Sequence, residues 1–169
     1  MNRTLITAAL LSAFLPTAGF AGLKVTFGDG APKDTFRIAN TSECATGPVT
    51  LTIDMTSSTG KLIFDVTSAG AGVEVFQPLE LTEGASFLNA VPVVQDGQQT
   101  LVLDVNSLPA GEEIVFTIDV DDTIGAREIT VTGSEMSGSA LMVQTASATV
   151  DSVFDATATA VVATPACTS

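Results

Sequence analysis

The stretch Asp119-Val120-Asp121-Asp122-Thr123 holds the densest group of carboxylates in this sequence. On a strand, Asp119 and Asp121 would share one face, and Asp122 would lie where the strand leaves for the next loop. Calcium takes roughly six to eight hard oxygen ligands, so carboxylates grouped beside a loop suit it. Glu135 follows the next predicted strand and would return close to them. We therefore predict a calcium site made by Asp119, Asp121, Asp122 and Glu135.

An Asp-rich turn that caps its own backbone is the alternative interpretation of these residues. The spacing lacks the ligand ladder of an EF-hand, in which ligands recur through a loop of about twelve residues. Asp side chains also accept hydrogen bonds from backbone amides two residues further along the chain. The sequence leaves the calcium site and the self-capped turn both open.

The residue types on which most enzymes depend are missing. The chain of 169 residues has no His, Trp or Tyr. Without His, nucleophilic catalysis by Ser-His-Asp or Cys-His cannot be built in its usual form, and zinc sites with imidazole ligands are excluded. A carboxylate pair could hydrolyse a glycosidic bond, but such enzymes grip sugars with aromatic faces, and Phe is the sole aromatic type here. We expect a protein that is not an enzyme, with no catalytic residue to assign.

The charge is strongly negative. The formal net charge is −13, and loss of Arg3 with a signal peptide would make it −14. Such a surface repels nucleic-acid phosphates and anionic lipid, so we predict no nucleic-acid partner. It attracts cations, calcium among them, and basic partners. The alternative is that the charge only keeps a β-rich secreted protein soluble.

The first residues predict secretion. One positive charge at Arg3 precedes an apolar run at 5–15, and Pro16, Gly19 and Ala21 follow, which is typical of a secretory signal with a small-residue cleavage site. The run is too short for a membrane span of roughly 20 residues, and no later run qualifies. We predict a signal peptide over 1–21, a single domain over 22–169, an extracellular or periplasmic location, and no integral membrane segment after signal removal.

The two cysteines, Cys44 and Cys167, predict a disulfide. In an oxidising compartment a lone pair of cysteines most often bonds to itself. A metal site or a nucleophilic thiol is the alternative, but the chain has no His to accompany either. The bond would tie an early loop to the C-terminus.

Apolar and polar residues alternate with period two along most of the chain, between turns rich in Gly and Pro. This pattern predicts strands with one face on a core. The alternation is clearest at 49–55, 62–66, 101–105, 115–120 and 129–131. Further strands are predicted at 23–27, 35–39, 73–76, 91–94, 140–144 and 157–162, and one short helical turn within 82–89. We therefore predict a single antiparallel β-sandwich of about eight to ten strands, immunoglobulin-like or jelly-roll-like.

Four of these strands carry an Asp between two apolar residues: Asp54, Asp65, Asp104 and Asp119. Period two predicts that each carboxylate points outward. Neighbouring strands would then carry a negative stripe, which either discourages sheets from pairing or offers a face to a basic partner.

The triplet Asn40-Thr41-Ser42 matches an N-glycosylation acceptor. This triplet is common by chance, so it carries little weight alone.

Three stretches together have a familiar pattern: GAPKDTF at 30–36, LIFDV followed by GAGVEVFQPL within 62–79, and FTIDVDD at 116–122. They resemble small secreted bacterial proteins of the "aggregation factor core" type, and the resemblance covers most of the chain after residue 21. It implies calcium-linked cell aggregation or adhesion, and it assigns no functional residues.

These observations favour a secreted, non-catalytic adhesion, aggregation or extracellular-matrix protein that acts by surface contact. Calcium is a candidate ligand that would assist this contact. Its partner would be a protein or a cell-surface polymer. Two alternatives stay open. One is a β-sandwich module that binds a small ligand or a polysaccharide, and the other is a subunit of a surface filament.

Overall fold

The computed structural model describes residues 22–68, 77–124 and 131–163. The described ranges contain eleven strands and one 3₁₀ turn, at Ala85–Phe87. The strands are β1 (Gly22–Gly28), β2 (Asp34–Asn40), β3 (Val49–Asp54), β4 (Ile63–Phe64), β5 (Glu80–Glu83), β6 (Thr100–Val105), β7 (Glu113–Ile118), β8 (Val120–Asp121), β9 (Ala140–Gln144), β10 (Thr149–Val153) and β11 (Thr159–Ala163). The predicted signal segment 1–21, the predicted strand at 73–76 and Cys167 lie outside the described residues.

Nine strands form two antiparallel sheets that face each other. The first sheet has the order β11-β1-β2-β7-β5, and the second has the order β10-β9-β3-β6. Val25, Phe36 and Phe116 of the first sheet join Leu51 and Leu103 of the second in one buried cluster. The remaining two strands, β4 and β8, pair with each other just beyond the end of β7. The prediction of an all-β antiparallel sandwich is confirmed, and the choice between its immunoglobulin-like and jelly-roll-like forms stays a prediction.

The alternation seen in the sequence separates the two faces of each sheet. In β3, Val49, Leu51 and Ile53 are buried, whereas Thr50 and Thr52 are partly exposed. Because consecutive side chains of a strand point to opposite faces, one face reaches the core and the other reaches solvent.

The strands predicted at 23–27, 35–39, 101–105, 140–144 and 157–162 are present as β1, β2, β6, β9 and β11. Residues 91–94 form no strand, because Pro92 cannot donate to a ladder and the flanking Val91 and Val93 face solvent. The sequence reasoning missed β5 and β10, in which exposed Glu80, Glu83 and Asp151 interrupt the apolar alternation. Within the described ranges, no helix has the length and apolar character that a membrane crossing requires.

Candidate functional site

The predicted acidic cluster lies at the end of the first sheet, where β7 ends and β8 begins. Asp34 starts β2 and is paired with Ile118, the last residue of β7. The amide of Asp65, just after β4, donates to the carbonyl of Asp119 at 3.1 Å. Three distant parts of the sequence therefore bring Asp34, Asp65 and Asp119 to one end of the sandwich.

Asp34 is buried and holds two backbone amides. Its Oδ1 accepts from the amide of Gly30 at 3.0 Å, and its Oδ2 accepts from the amide of Val120 at 3.1 Å. Burial raises the pKa of Asp34 from 3.8 to about 7, against the lowering effect of the two amides and with help from the charges of Asp119 and Asp29. Its role is structural, because it ties the turn before β2 to the start of β8.

Asp119 is half-buried, although the sequence predicted it to point outward. Partial burial raises its pKa to about 6, and the negative charges of Asp121 and Asp65 add to the effect, while Lys33 opposes it. Asp119 and Asp121 are two residues apart, and the charge of Asp121 acts on Asp119. Asp121 and Asp122 are both buried, with 4% and 7% exposure.

The carboxylates of Asp122 and Glu135 bind their own turns. Oδ1 of Asp122 accepts from the amide of Ile124 at 2.9 Å. Oε2 of Glu135 accepts from the amide and the hydroxyl of Thr132 at 2.7 and 2.8 Å. Both turns also contact Gly60, whose amide donates to the carbonyl of Glu135 and whose carbonyl accepts from the residue after Asp122. The backbones of the two turns thus converge, while their carboxylates cap local amides.

No set of three or more acidic, Cys or His side chains in the described part of the chain is arranged to hold a metal ion. Asp121 is buried, and Asp122 and Glu135 bind local amides, so the described residues offer calcium no preformed ligand shell. Calcium binding by Asp119, Asp121, Asp122 and Glu135 stays a prediction.

The expectation that Asp65 points outward is wrong. Asp65 is buried, with 1% of its surface exposed. β4 pairs with β8 on one side, and on the other Phe64 exchanges backbone hydrogen bonds with Gly97 and Gln98, so the 62–66 segment is covered on both sides. Hydrogen bonding between the side chains of Asp65 and Asp96 acts to lower the pKa of Asp96, so the two side chains are neighbours.

Asp96 organises the chain beside this pair. Its Oδ1 accepts from the amides of Val66 and Thr67 at 3.1 and 3.3 Å. Desolvation acts to raise the pKa of Asp96, but the hydrogen bonds from Val66, Asp65 and Thr67 outweigh it, so the pKa lies below its usual value. The 62–67 segment is therefore held by a carboxyl group from a distant loop.

We expect the free energy of unfolding to fall by about 2 kcal/mol between about pH 5 and about pH 8. Asp34 has a pKa of about 7 in the folded protein against an ordinary 3.8, so the folded state keeps a proton that the unfolded chain has released. This stabilisation is complete below pH 3.8 and is lost as the pH rises through 7. Asp119 acts in the same direction with a smaller effect, because it is half-exposed and solvent screens it.

Urea denaturation at the two pH values measures this difference. Asp34→Asn sets an amide NH₂ against one of the two backbone amides, so this variant should be less stable at about pH 5 but depend less on pH. Equal stability of the wild type at both values, or an unchanged pH dependence in Asp34→Asn, would contradict the assignment.

The outward face of the second sheet is a second candidate site, which we call the open face. Strand register places twelve accessible side chains in three rows of four across β10, β9, β3 and β6. The rows are Thr149-Gln144-Thr50-Asp104, Asp151-Met142-Thr52-Val102 and Val153-Ala140-Asp54-Thr100.

Apolar and acidic side chains share this open face. Val102, Met142 and Val153 are 48%, 44% and 57% exposed. Three carboxylates, from Asp54, Asp104 and Asp151, lie among them, and none of the twelve positions is Lys or Arg. The predicted outward orientation of Asp104 is confirmed, and Asp54 is partly exposed. One signal for the open face was readable in the sequence, because Val102 is an apolar residue in the outward phase of β6.

The outward face of the first sheet differs in charge. Lys24 and Arg37 lie diagonally across β1 and β2 beside a shallow depression of about 120 Å³. Arg37 forms an ion pair with Glu113 at 2.8 Å, and Glu83 is close enough to act on its charge. Cations and acids therefore offset each other on this face.

An apolar groove opens beside the acidic end. Its volume is about 300 Å³, and its lining consists of Val66, Thr67, Pro78, Leu79 and residues 92–94. This volume is at the lower limit of ordinary ligand pockets, which also place several polar groups around their ligand. Among the described residues that line the groove none is charged, and the ligand-binding alternative stays a prediction.

Asn40, which opens the predicted glycosylation triplet, is 1% exposed. Its Nδ2 donates to the carbonyls of Cys44 and Leu108, both at 2.8 Å, and to that of Pro109 at 3.1 Å. Its Oδ1 accepts from the amide and the hydroxyl of Ser42. A glycan cannot attach to this buried amide in the folded protein, so the glycosylation interpretation fails and Asn40 acts as a structural link between two loops.

The predicted Cys44–Cys167 bond involves one described cysteine. Cys44 lies in the loop that Asn40 organises, where its carbonyl accepts from Asn40 Nδ2 and from Ser42 Oγ. Because Cys167 is outside the described residues, the disulfide stays a prediction.

Searches of protein-family models and of curated proteins found no match to this chain.

Proposed function

We propose that this protein is a secreted, non-catalytic adhesion, aggregation or matrix protein that acts by surface contact through its open face. The observation that carries the proposal is the exposure of Val102, Met142 and Val153 on a regular sheet surface. Apolar side chains grouped on one exposed surface of a folded domain mark a candidate site of interaction. Secretion, predicted from residues 1–21, would place this surface where other cells and polymers can reach it.

The size of the open face suits a modest contact. Strands lie about 4.8 Å apart and alternate residues about 7 Å apart, so twelve side chains cover roughly 400 Å². A stable protein complex uses about 800 Å² on each partner. One copy would therefore bind weakly through the open face alone, and many copies on a cell or polymer would bind firmly through multivalency.

Settling of cells tests the proposal. Cells that lack the gene should settle more slowly than wild-type cells, and added purified protein should restore settling. Val102→Lys with Met142→Lys should abolish the restoration, because two buried charges would disrupt an apolar contact. Ile124→Lys with Val161→Lys is the matched control, since Ile124 is exposed at the acidic end and Val161 is exposed on β11 of the first sheet. Full restoration by the open-face variant would show that contact occurs elsewhere.

The same assay decides whether calcium assists. The acidic cluster and the resemblance to aggregation factor core proteins motivate this part of the proposal. Calcium assistance predicts that a chelator slows settling and that Asp121→Asn with Asp122→Asn slows it equally. Identical settling with calcium and with chelator would remove calcium from the proposal and leave surface contact in place.

A further inference from the structure

We infer that the open face binds a protein partner through Lys and Arg side chains that the partner presents. This inference rests on the proposed function and specifies the chemistry of its partner.

The evidence is the way in which acids and apolar residues alternate on the open face. Met142 is directly opposite Asp151, so their Cβ atoms are about 5 Å apart. Val102 is two residues from Asp104 on β6, and Val153 is two residues from Asp151 on β10, which is about 7 Å in each case. Each exposed apolar side chain therefore has a carboxylate one position away.

A Lys or Arg side chain has the complementary composition. Its stem of three or four methylene groups packs on apolar surface while its charged head stays at a polar group. Laid across Met142 or Val102, the stem would cover apolar area and the head would reach Asp151 or Asp104. A metal ion or a small polyamine would satisfy the carboxylates and leave more of the apolar area in water. A purely apolar partner would desolvate carboxylates without pairing them, which is costly.

A second copy of this chain fits poorly. Two open faces placed together would set the carboxylates of Asp54, Asp104 and Asp151 against their equivalents, and like charges repel. The outward face of the first sheet offers Lys24 and Arg37, but Glu113 and Glu83 offset them. The charges favour a different, basic protein, and the overall net charge of −13 would speed its approach.

Binding of fluorescent nona-arginine, measured by anisotropy at physiological salt, tests the inference. Asp104→Asn with Asp151→Asn should weaken binding by about tenfold or more, because the guanidinium groups of the peptide lose the two carboxylates with which they would pair. Glu43→Gln with Glu112→Gln removes the same charge from exposed sites away from the open face, and should change binding by less than about threefold. A thermal melt of each variant confirms that it is folded.

A second pair of substitutions tests the apolar part. Val102→Thr with Met142→Gln keeps the net charge and similar side-chain volumes, and should weaken binding by about three- to tenfold. An equal loss in both acid-to-amide variants would mean attraction to the whole acidic molecule, and would overturn the inference. Unchanged binding in Val102→Thr with Met142→Gln would also overturn it.

Failure here can be told apart from failure of the proposed function. If cells settle with the wild-type protein but not with the Val102→Lys and Met142→Lys variant, the proposal of surface contact is retained. If nona-arginine binds all the variants equally in the same set of experiments, the basic partner is rejected. Sedimentation of the wild-type protein at several concentrations provides a separate check. Self-association that Asp104→Asn with Asp151→Asn abolishes would favour a second copy as the occupant and overturn the inference.

Discussion

Phe36→Ala is expected to lower the free energy of unfolding by about 3–5 kcal/mol. Phe36 is fully buried on β2 and lies at the centre of an aromatic group. Its ring stacks on that of Phe116 at 5.1 Å and 13°, meets Phe27 edge-on at 5.1 Å, and contacts Phe64 at 6.4 Å. Removal of the ring leaves a cavity among β1, β2, β7 and β4 that rigid neighbouring strands cannot close.

Urea denaturation of the purified protein measures the loss. Phe36→Leu should cost less, about 1–2 kcal/mol, because it keeps most of the volume. Val93→Ala is the control, since Val93 is 86% exposed, and its effect should stay within about 0.5 kcal/mol. A cost below about 1 kcal/mol for Phe36→Ala would show that this aromatic group does not hold the core together.

Asn40→Asp is expected to cost about 3–5 kcal/mol or to prevent accumulation of folded protein. The Asn40 amide donates to three carbonyls, from Cys44, Leu108 and Pro109. A carboxylate in its place would put negative charge against those three oxygens and remove the donor that they share. Burial makes this worse, because an unpaired charge in the interior has no water to solvate it.

Thermal and urea unfolding near neutral pH measure this change. Asn106→Asp makes the same chemical substitution at an exposed position, so it should stay within about 0.5 kcal/mol of the wild type. Ser42→Ala removes the hydroxyl that donates to Asn40 Oδ1, and an intermediate loss of about 1–2 kcal/mol is expected. If Asn40→Asp and Asn106→Asp had the same free energy of unfolding, the loops that Asn40 links would not depend on its amide.

The carboxylates of the acidic end and those of the open face have different roles. At the acidic end Asp34 and Asp96 hold backbone amides, and Asp65 is buried, so these acids hold loops in place. On the open face no hydrogen bond engages the side chain of Asp104 or Asp151 among the described residues. Exposed carboxylates with no structural task are the ones available to a partner, which is why the functional proposals rest on the open face.

The fold class and most of the strands can be predicted from the amino-acid sequence alone. Alternation in β3 and β6 separates Leu51 and Leu103 from Thr50 and Asp104 because side chains of a strand point to opposite faces in turn. Gly- and Pro-rich turns between such runs are sufficient to predict an antiparallel sandwich. The same local rule predicted Asp104 correctly, since β6 has one face in solvent.

Contacts between residues from distant parts of the chain follow from the strand pairing and the loops of the fold, and local sequence patterns do not predict them. Asp65 follows the same alternation as Asp104, yet it is buried, because β8 and the 97–98 turn cover both sides of its segment. Asn40 became a buried link because the loop at 108–109 returns to it, and the open face exists because β9 and β6 flank β3. Period-two patterns record which side of one strand faces inward, whereas strand neighbours depend on long-range pairing that no local pattern encodes.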